Sequence, residues 1–203
     1  MGPRLTHAAI AALLFVACHP VIYIPMGSEL GDGTQARCQL ARDAWLAPVK
    51  IEDPNVADRD HLEPALTLDL QRFLREERSF RRVSLLPGEP APEDLILRFA
   101  FPRFEQTLIQ CPGCNAWTVI SMGMSANNME SWELHSKLGG RLRVERLTGE
   151  EIATSSLERS EDEATGRGVW RSPGPPSAIG LRAGLVRQLV YDACHAFPIG
   201  SAE

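Results

Sequence analysis

From Ser131 to Leu147 the chain alternates in character. Trp132, Leu134, Ser136, Leu138, Gly140, Leu142 and Val144 fall on one parity, and Glu133, His135, Lys137, Gly139, Arg141, Arg143 and Glu145 on the other. Successive side chains of a strand point to opposite faces, so this stretch reads as one long antiparallel strand with a buried face and a solvated face. The adjacent Gly139 and Gly140 mark the place where it would kink or bulge. His135, Lys137 and Arg141 lie on the solvated parity, a shallow basic patch suited to acidic lipid headgroups or a partner, with a solvated strand face as the plainer reading.

The flanking segments supply the rest of a sheet and its cover. "DLILRFAFPRFEQ" alternates with Leu95, Leu97, Phe99 and Phe101 on one face, and Pro102 places an edge or a break in the ladder. "WLAPVKIED" reads as the first strand, "FRRVSLL" as a short one, and "LTGEEI" as a turn into a strand near residues 152–157. Leu62, Ala65, Leu66, Leu70, Phe73 and Leu74 recur at helical spacing, which predicts a helix over 62–78. It opens between Asp58 and Pro64, with Asp60 as a candidate cap. Ile179, Ala183, Val186, Val190 and Cys194 form a second stripe, with Leu181, Leu185 and Leu189 beside it, in a helix over 177–195. Residues 159–176, charged and then rich in Pro and Gly, read as a loop. The expected fold class is α+β: an antiparallel-rich mixed sheet with both helices packed on one face, a two-layer sandwich. No internal repeat or second domain is visible. The expected organisation is a targeting segment over 1–17, an irregular tether over 18–44 and one domain over 45–203.

Ala8 to Ala17 is almost wholly apolar and follows a lone Arg4, which suits the core of a signal peptide. A membrane span needs about 20 apolar residues, and this run stops short of that at Cys18-His19-Pro20. Phe15-Val16-Ala17-Cys18 resembles the lipobox of bacterial lipoproteins, with Phe15 where Leu is usual. The resemblance implies cleavage before Cys18 after its thiol receives a diacylglyceryl group. Several acyl chains on one residue anchor stably where a single chain does not. An ordinary secretory signal, an uncleaved anchor and an N-myristoylation start at Gly2 are the competing readings.

Without Cys18 the chain keeps four cysteines, Cys38, Cys111, Cys114 and Cys194. An even number suits an oxidising compartment. Pro112-Gly113 favours the tight turn of a local Cys111–Cys114 pair, which would leave Cys38 to bridge to Cys194. The same CxxC is the signature of a redox pair or of half a zinc site. Its strand-like flanks lack the helix start that a redox thiolate uses, and Cys194 and His195, adjacent on a helix, point in different directions.

Catalytic and cofactor signals are weak. The chain has no HExxH, no phosphate-cradling loop and no dinucleotide fingerprint, so no catalytic residue, cofactor or metal is expected. Gly123-Met124-Ser125-Ala126-Asn127 falls one glycine short of a nucleophile elbow. A net charge of -5 gives no electrostatic reason to expect nucleic acid. "SMGMSANNMESW" offers Met122, Met124, Met129 and Trp132 as a candidate contact surface, with the rim of the core as the plainer reading.

"WLAPVKIEDPN", "LEPALTLDLQRFLREERSFRRVSLL" and "DLILRFAFPRF", in that order before a long hairpin and a closing helix, resemble a broad group of bacterial envelope lipoproteins. These are the auxiliary lipoproteins of ABC-type lipid transport, the lipopolysaccharide-assembly lipoprotein and the curli secretion lipoprotein. The resemblance implies a non-enzymatic scaffold or adaptor with envelope proteins as partners, anchored by lipid at the periplasmic face of the outer membrane. A thiol-disulfide or metal-handling protein using Cys111 and Cys114, and a module binding a lipid ligand, are the alternatives.

Overall fold

The computed structural model of the chain describes residues 21–23, 39–110, 132–165 and 176–197. Seven strands form one open mixed sheet: β1 (Val21–Tyr23), β2 (Leu40–Leu46), β3 (Lys50–Ile51), β4 (Phe80–Leu85), β5 (Leu95–Gln110), β6 (Trp132–Arg146) and β7 (Glu151–Thr165). The main path runs β4–β2–β5–β6–β7. β6 occupies one side of β5 from Leu95 to Gln110, while β2, β3 and β1 share its other side in succession. β2 and β3 run parallel to β5, and β1 and β6 antiparallel. Helix α1 spans Arg59–Glu76 and α2 spans Pro176–Ala196. The expected α+β two-layer fold is present.

Both helices lie on the face of the sheet that carries most of its apolar side chains among the described residues. Leu95, Leu97, Phe99, Phe101 and Phe104 of β5 and Leu138, Leu142 and Val144 of β6 are buried there against Leu66, Leu70, Phe73 and Leu74 of α1 and Leu181, Leu185, Val186 and Leu189 of α2. Phe101 and Phe104 meet edge to face, with centroids 5.8 Å apart. The opposite face is a lattice of ion pairs, Arg98–Glu145, Arg103–Glu158 and Arg141–Glu52. Arg141 therefore faces a carboxylate from the segment after β3, not an open basic patch.

Pro48 splits the expected first strand into β2 and β3, and α1 satisfies the backbone around the break. Thr67 Oγ1 accepts from Val49 N–H at 3.0 Å, and Glu63 Oε1 from Ile51 N–H at 2.9 Å. The strand also begins earlier than "WLAPVKIED" suggested, at Leu40. Helix α1 opens from Asp58, which sits at φ 57 and makes no side-chain cap. Pro64 lies in the helix after its opening turn, and Asp60 lies in the first turn.

Four expectations are corrected. The 18–44 stretch is not wholly irregular: β1 pairs with Thr107–Ile109, and β2 starts at Leu40. β5 outruns β2 and β3, and its remaining edge takes a short partner from the chain start. Pro102 does not end β5. The register with β6 shifts between Ala100 and Arg103, and beyond the shift Asp53 Oδ2 accepts from Phe104 N–H at 2.9 Å. That bulge lies on β5, where Phe101 and Pro102 stand against Gly140 alone, rather than on β6 at Gly139-Gly140. Gly140 has a different cause. A Cβ there would come within 2.8 Å of both Leu185 Cδ2 and Leu189 Cδ1, so the glycine lets α2 approach the sheet. Finally, residues 159–165 continue β7 instead of opening a loop, paired with Leu138 to Trp132. Their charges hide the strand from a hydrophobic pattern.

The two helices are tied to each other as well as to the sheet. Glu77, just after α1 and 2% exposed, accepts from Arg187 Nε at 3.1 Å and Nη2 at 2.6 Å through one oxygen, Oε1. The Arg187 guanidinium lies 5.7 Å from the Phe73 ring centroid, a cation–π contact.

Candidate functional site

An open groove of about 860 Å³ lies at the β2–β4 corner, where α1 ends. Arg75, Arg78, Arg81 and Arg82 line it above Leu40, Phe80 and Val83. Four guanidiniums in one groove stand out on a chain of net charge -5. Local structure brings them together. Arg75 is in the last turn of α1, Arg78 lies two residues beyond it, and Arg81 and Arg82 follow at the start of β4.

Each arginine is held differently. Arg75 donates from Nε at 3.0 Å and Nη2 at 2.8 Å to the carbonyl of Val83, which also accepts from Gln71 Nε2 at 3.1 Å. The two side chains of α1 thus occupy a carbonyl on the edge strand of the sheet, which hinders addition of a further strand there. Arg78 sits at φ 53, a left-handed position just past the helix that glycine fills most cheaply. Arg81 Nε pairs with Asp43 Oδ1 at 2.7 Å. That hydrogen bond, reinforced by the charges of Arg81 and Arg82, holds the Asp43 carboxyl below its ordinary range. Asp43 in turn raises the Arg81 guanidinium above its ordinary range. Arg82 is exposed. The chemistry available is recognition of anions: planar donors that suit carboxylate or phosphate, with apolar side chains beneath.

Most residues singled out from the sequence lie elsewhere. Cys18, Cys38, Cys111, Cys114, Met122, Met124 and Met129 fall outside the described residues. Trp132 begins β6, paired with Gln110 and Thr165. Cys194, half-buried near the end of α2, is disulfide-bonded, and its partner is not among the described residues. His195 Nδ1 lies 2.8 Å from the Tyr191 carbonyl. Among the described residues no group of three His, Cys, Asp or Glu side chains is placed to hold a metal ion. A cavity between α1 and α2, lined in part by Phe73, Glu77, Arg187 and Tyr191, measures about 10 Å³, too small for an acyl chain. The groove was missed because Arg75, Arg78, Arg81 and Arg82 straddle a helix end and a strand. The signal was present in "RFLREERSFRR", an arginine at every third position, but the acidic total concealed it.

No family model and no curated protein matches the chain. Among solved structures, it is similar to a protein from Xanthomonas campestris at 10% identity, over 77% of this chain and 84% of that one, with a TM-score of 0.41. It is also similar to the PelC dodecamer from Paraburkholderia phytofirmans, at 10% identity over 86% and 97% of the two chains, with a TM-score of 0.40. A minor lipoprotein from Acinetobacter baumannii matches at 13% identity over 77% and 87%, with a TM-score of 0.32. Bacterial lipoproteins are thus among the matched structures. At these scores and identities the likeness carries no family, ligand or partner over to this chain.

Proposed function

We propose that this protein is a lipid-anchored envelope lipoprotein acting without catalysis, as a scaffold or adaptor in an assembly, transport or secretion complex at the periplasmic face of the outer membrane. The observation that carries the reading is the closeness of the anchor candidate to the sheet. Cys18 ends the apolar run, and β1 begins three residues later, paired antiparallel with Thr107–Ile109. Three residues span at most about 11 Å, so a lipidated Cys18 would hold the distal end of β5 near the bilayer instead of letting the domain swing on a long tether. A fixed orientation suits a protein that works by contact. Cys111–Cys114 and Cys38–Cys194 are the proposed disulfides, the second joining the chain start to α2.

The test is the intact mass of protein extracted from membranes, alkylated with and without prior reduction. The expected mass is that of residues 18–203 plus acyl groups, with four thiols reacting only after reduction. A mass without lipid refutes the anchor, and thiols at Cys111 and Cys114 that react before reduction favour the redox or metal alternative.

A further inference from the structure

The arginine groove and the anchor candidate lie at opposite ends of the sheet. β2 meets β5 at Leu95–Leu97 and β1 meets it at Thr107–Ile109. At about 3.3 Å per residue, the stretch from Leu95 to Ile109 separates the two ends by roughly 45 Å. The groove lies further out still, since Leu40 and Phe80 precede the Ala44–Leu95 pairing along β2 and β4. If Cys18 is lipidated as proposed above, these guanidiniums stand several Debye lengths from the headgroups of the anchoring membrane. They are then available to something in the aqueous compartment.

From this placement we infer that the groove lined by Arg75, Arg78, Arg81 and Arg82 is the docking site for an acidic polypeptide segment of a partner protein. The site's form favours that occupant. A single phosphate could not fill an open groove of about 860 Å³ whose guanidiniums come from both a helix end and a strand. Half-buried Leu40 leaves apolar surface between the charges, over the buried Phe80 and Val83, which suits a polypeptide more than a free ion. Because Arg75 and Gln71 already occupy the Val83 carbonyl, the partner is read through its carboxylates and not by strand addition. Arg78 adds an independent indication. It keeps a cationic side chain at a left-handed position where glycine would be less strained, a local conflict of the kind that marks functional positions. Asp43, outside the groove's lining, is the competitor, satisfying Arg81 until a partner carboxylate shares it.

The test measures binding of fluorescein-labelled poly-L-glutamate to the full chain in mild detergent, by fluorescence anisotropy at low and at physiological salt. Binding is expected to weaken with salt and to fall about tenfold or more in the R81E/R82E double variant. Asp43→Asn, which removes the competitor, is expected to tighten it. Arg78→Gly is expected to weaken binding while raising the thermal unfolding midpoint, a pair of opposed changes that a purely structural arginine would not produce. Equal binding by wild type and an R81E/R82E protein with native circular dichroism overturns the inference, as does no binding by wild type. Displacement of the probe by inorganic phosphate at concentrations matching its own affinity would make this a simple anion site. Displacement by free phosphatidylglycerol vesicles would make it a lipid surface. The detergent measurement does not depend on acylation, so a chain that lacks lipid at Cys18 yet binds poly-L-glutamate refutes the anchor and leaves the groove standing.

Discussion

Replacing Glu77 by alanine tests the contact that joins the two helices. Glu77 Oε1 accepts both Nε and Nη2 of Arg187, and the two side chains are 2% and 21% exposed. Removing one partner of a buried pair costs about 3–5 kcal/mol, because the other charge stays behind without compensation. Arg187 retains some access to water, which lowers the expectation to about 2–3 kcal/mol. For a domain of this size, that corresponds to a fall of roughly 5–10 °C in Tm. The assay is equilibrium urea unfolding followed by far-ultraviolet circular dichroism, on Glu77→Ala, Arg187→Met and the double variant. The double variant should regain more than half the loss, since an apolar side chain over Phe73 needs no acceptor. A change within about 0.5 kcal/mol for Glu77→Ala would refute the argument. So would a double variant no more stable than the single one.

Gly140→Val should destabilise by about 1–3 kcal/mol through collision with Leu185 and Leu189, and combining it with Leu185→Ala should cost less than the sum of the two, read by thermal melts. Asp53→Ala should cost about 1–3 kcal/mol, because the Phe104 N–H beside the bulge loses its acceptor, whereas Asp53→Asn, which keeps a carbonyl oxygen, should cost less in the same urea assay. The Asp43 carboxyl titrates lower when folded than when free, so its pairing with Arg81 stabilises at neutral pH and is lost as pH falls through the folded value. Wild type and Asp43→Asn should therefore differ at pH 7 and converge in acid, as a series of unfolding curves would record.

The sheet and its two helices were legible because the apolar faces follow strict periods. Period two runs through Leu134 to Val144 and Leu95 to Phe101, and helical spacing runs through Leu62 to Leu74 and Ile179 to Cys194. Such patterns report which face meets the core, and burial of that face is the main force of folding. Strand β7 beyond Arg159 was not legible, because its pairing is carried by backbone hydrogen bonds that leave no mark on side-chain character. The bulge on β5 was misplaced for a related reason. Pro102 and Gly140 lie across the ladder from each other at the shift, and only the register shows which strand accommodates the extra residue.

The candidate site divides in the same way. Cys18 is a local signal, readable in the few residues before it. The arginine groove exists only after α1 ends and β4 turns back beside β2, so that side chains spread over eight positions of sequence share one space. Sequence alone determined the periodic faces and the apolar run that ends at Cys18, because each is a property of neighbours along the chain. Tertiary structure decided the order of strands, the distance between β1 and the groove, and the meeting of Glu77 with Arg187, because these join residues that only long-range packing brings together.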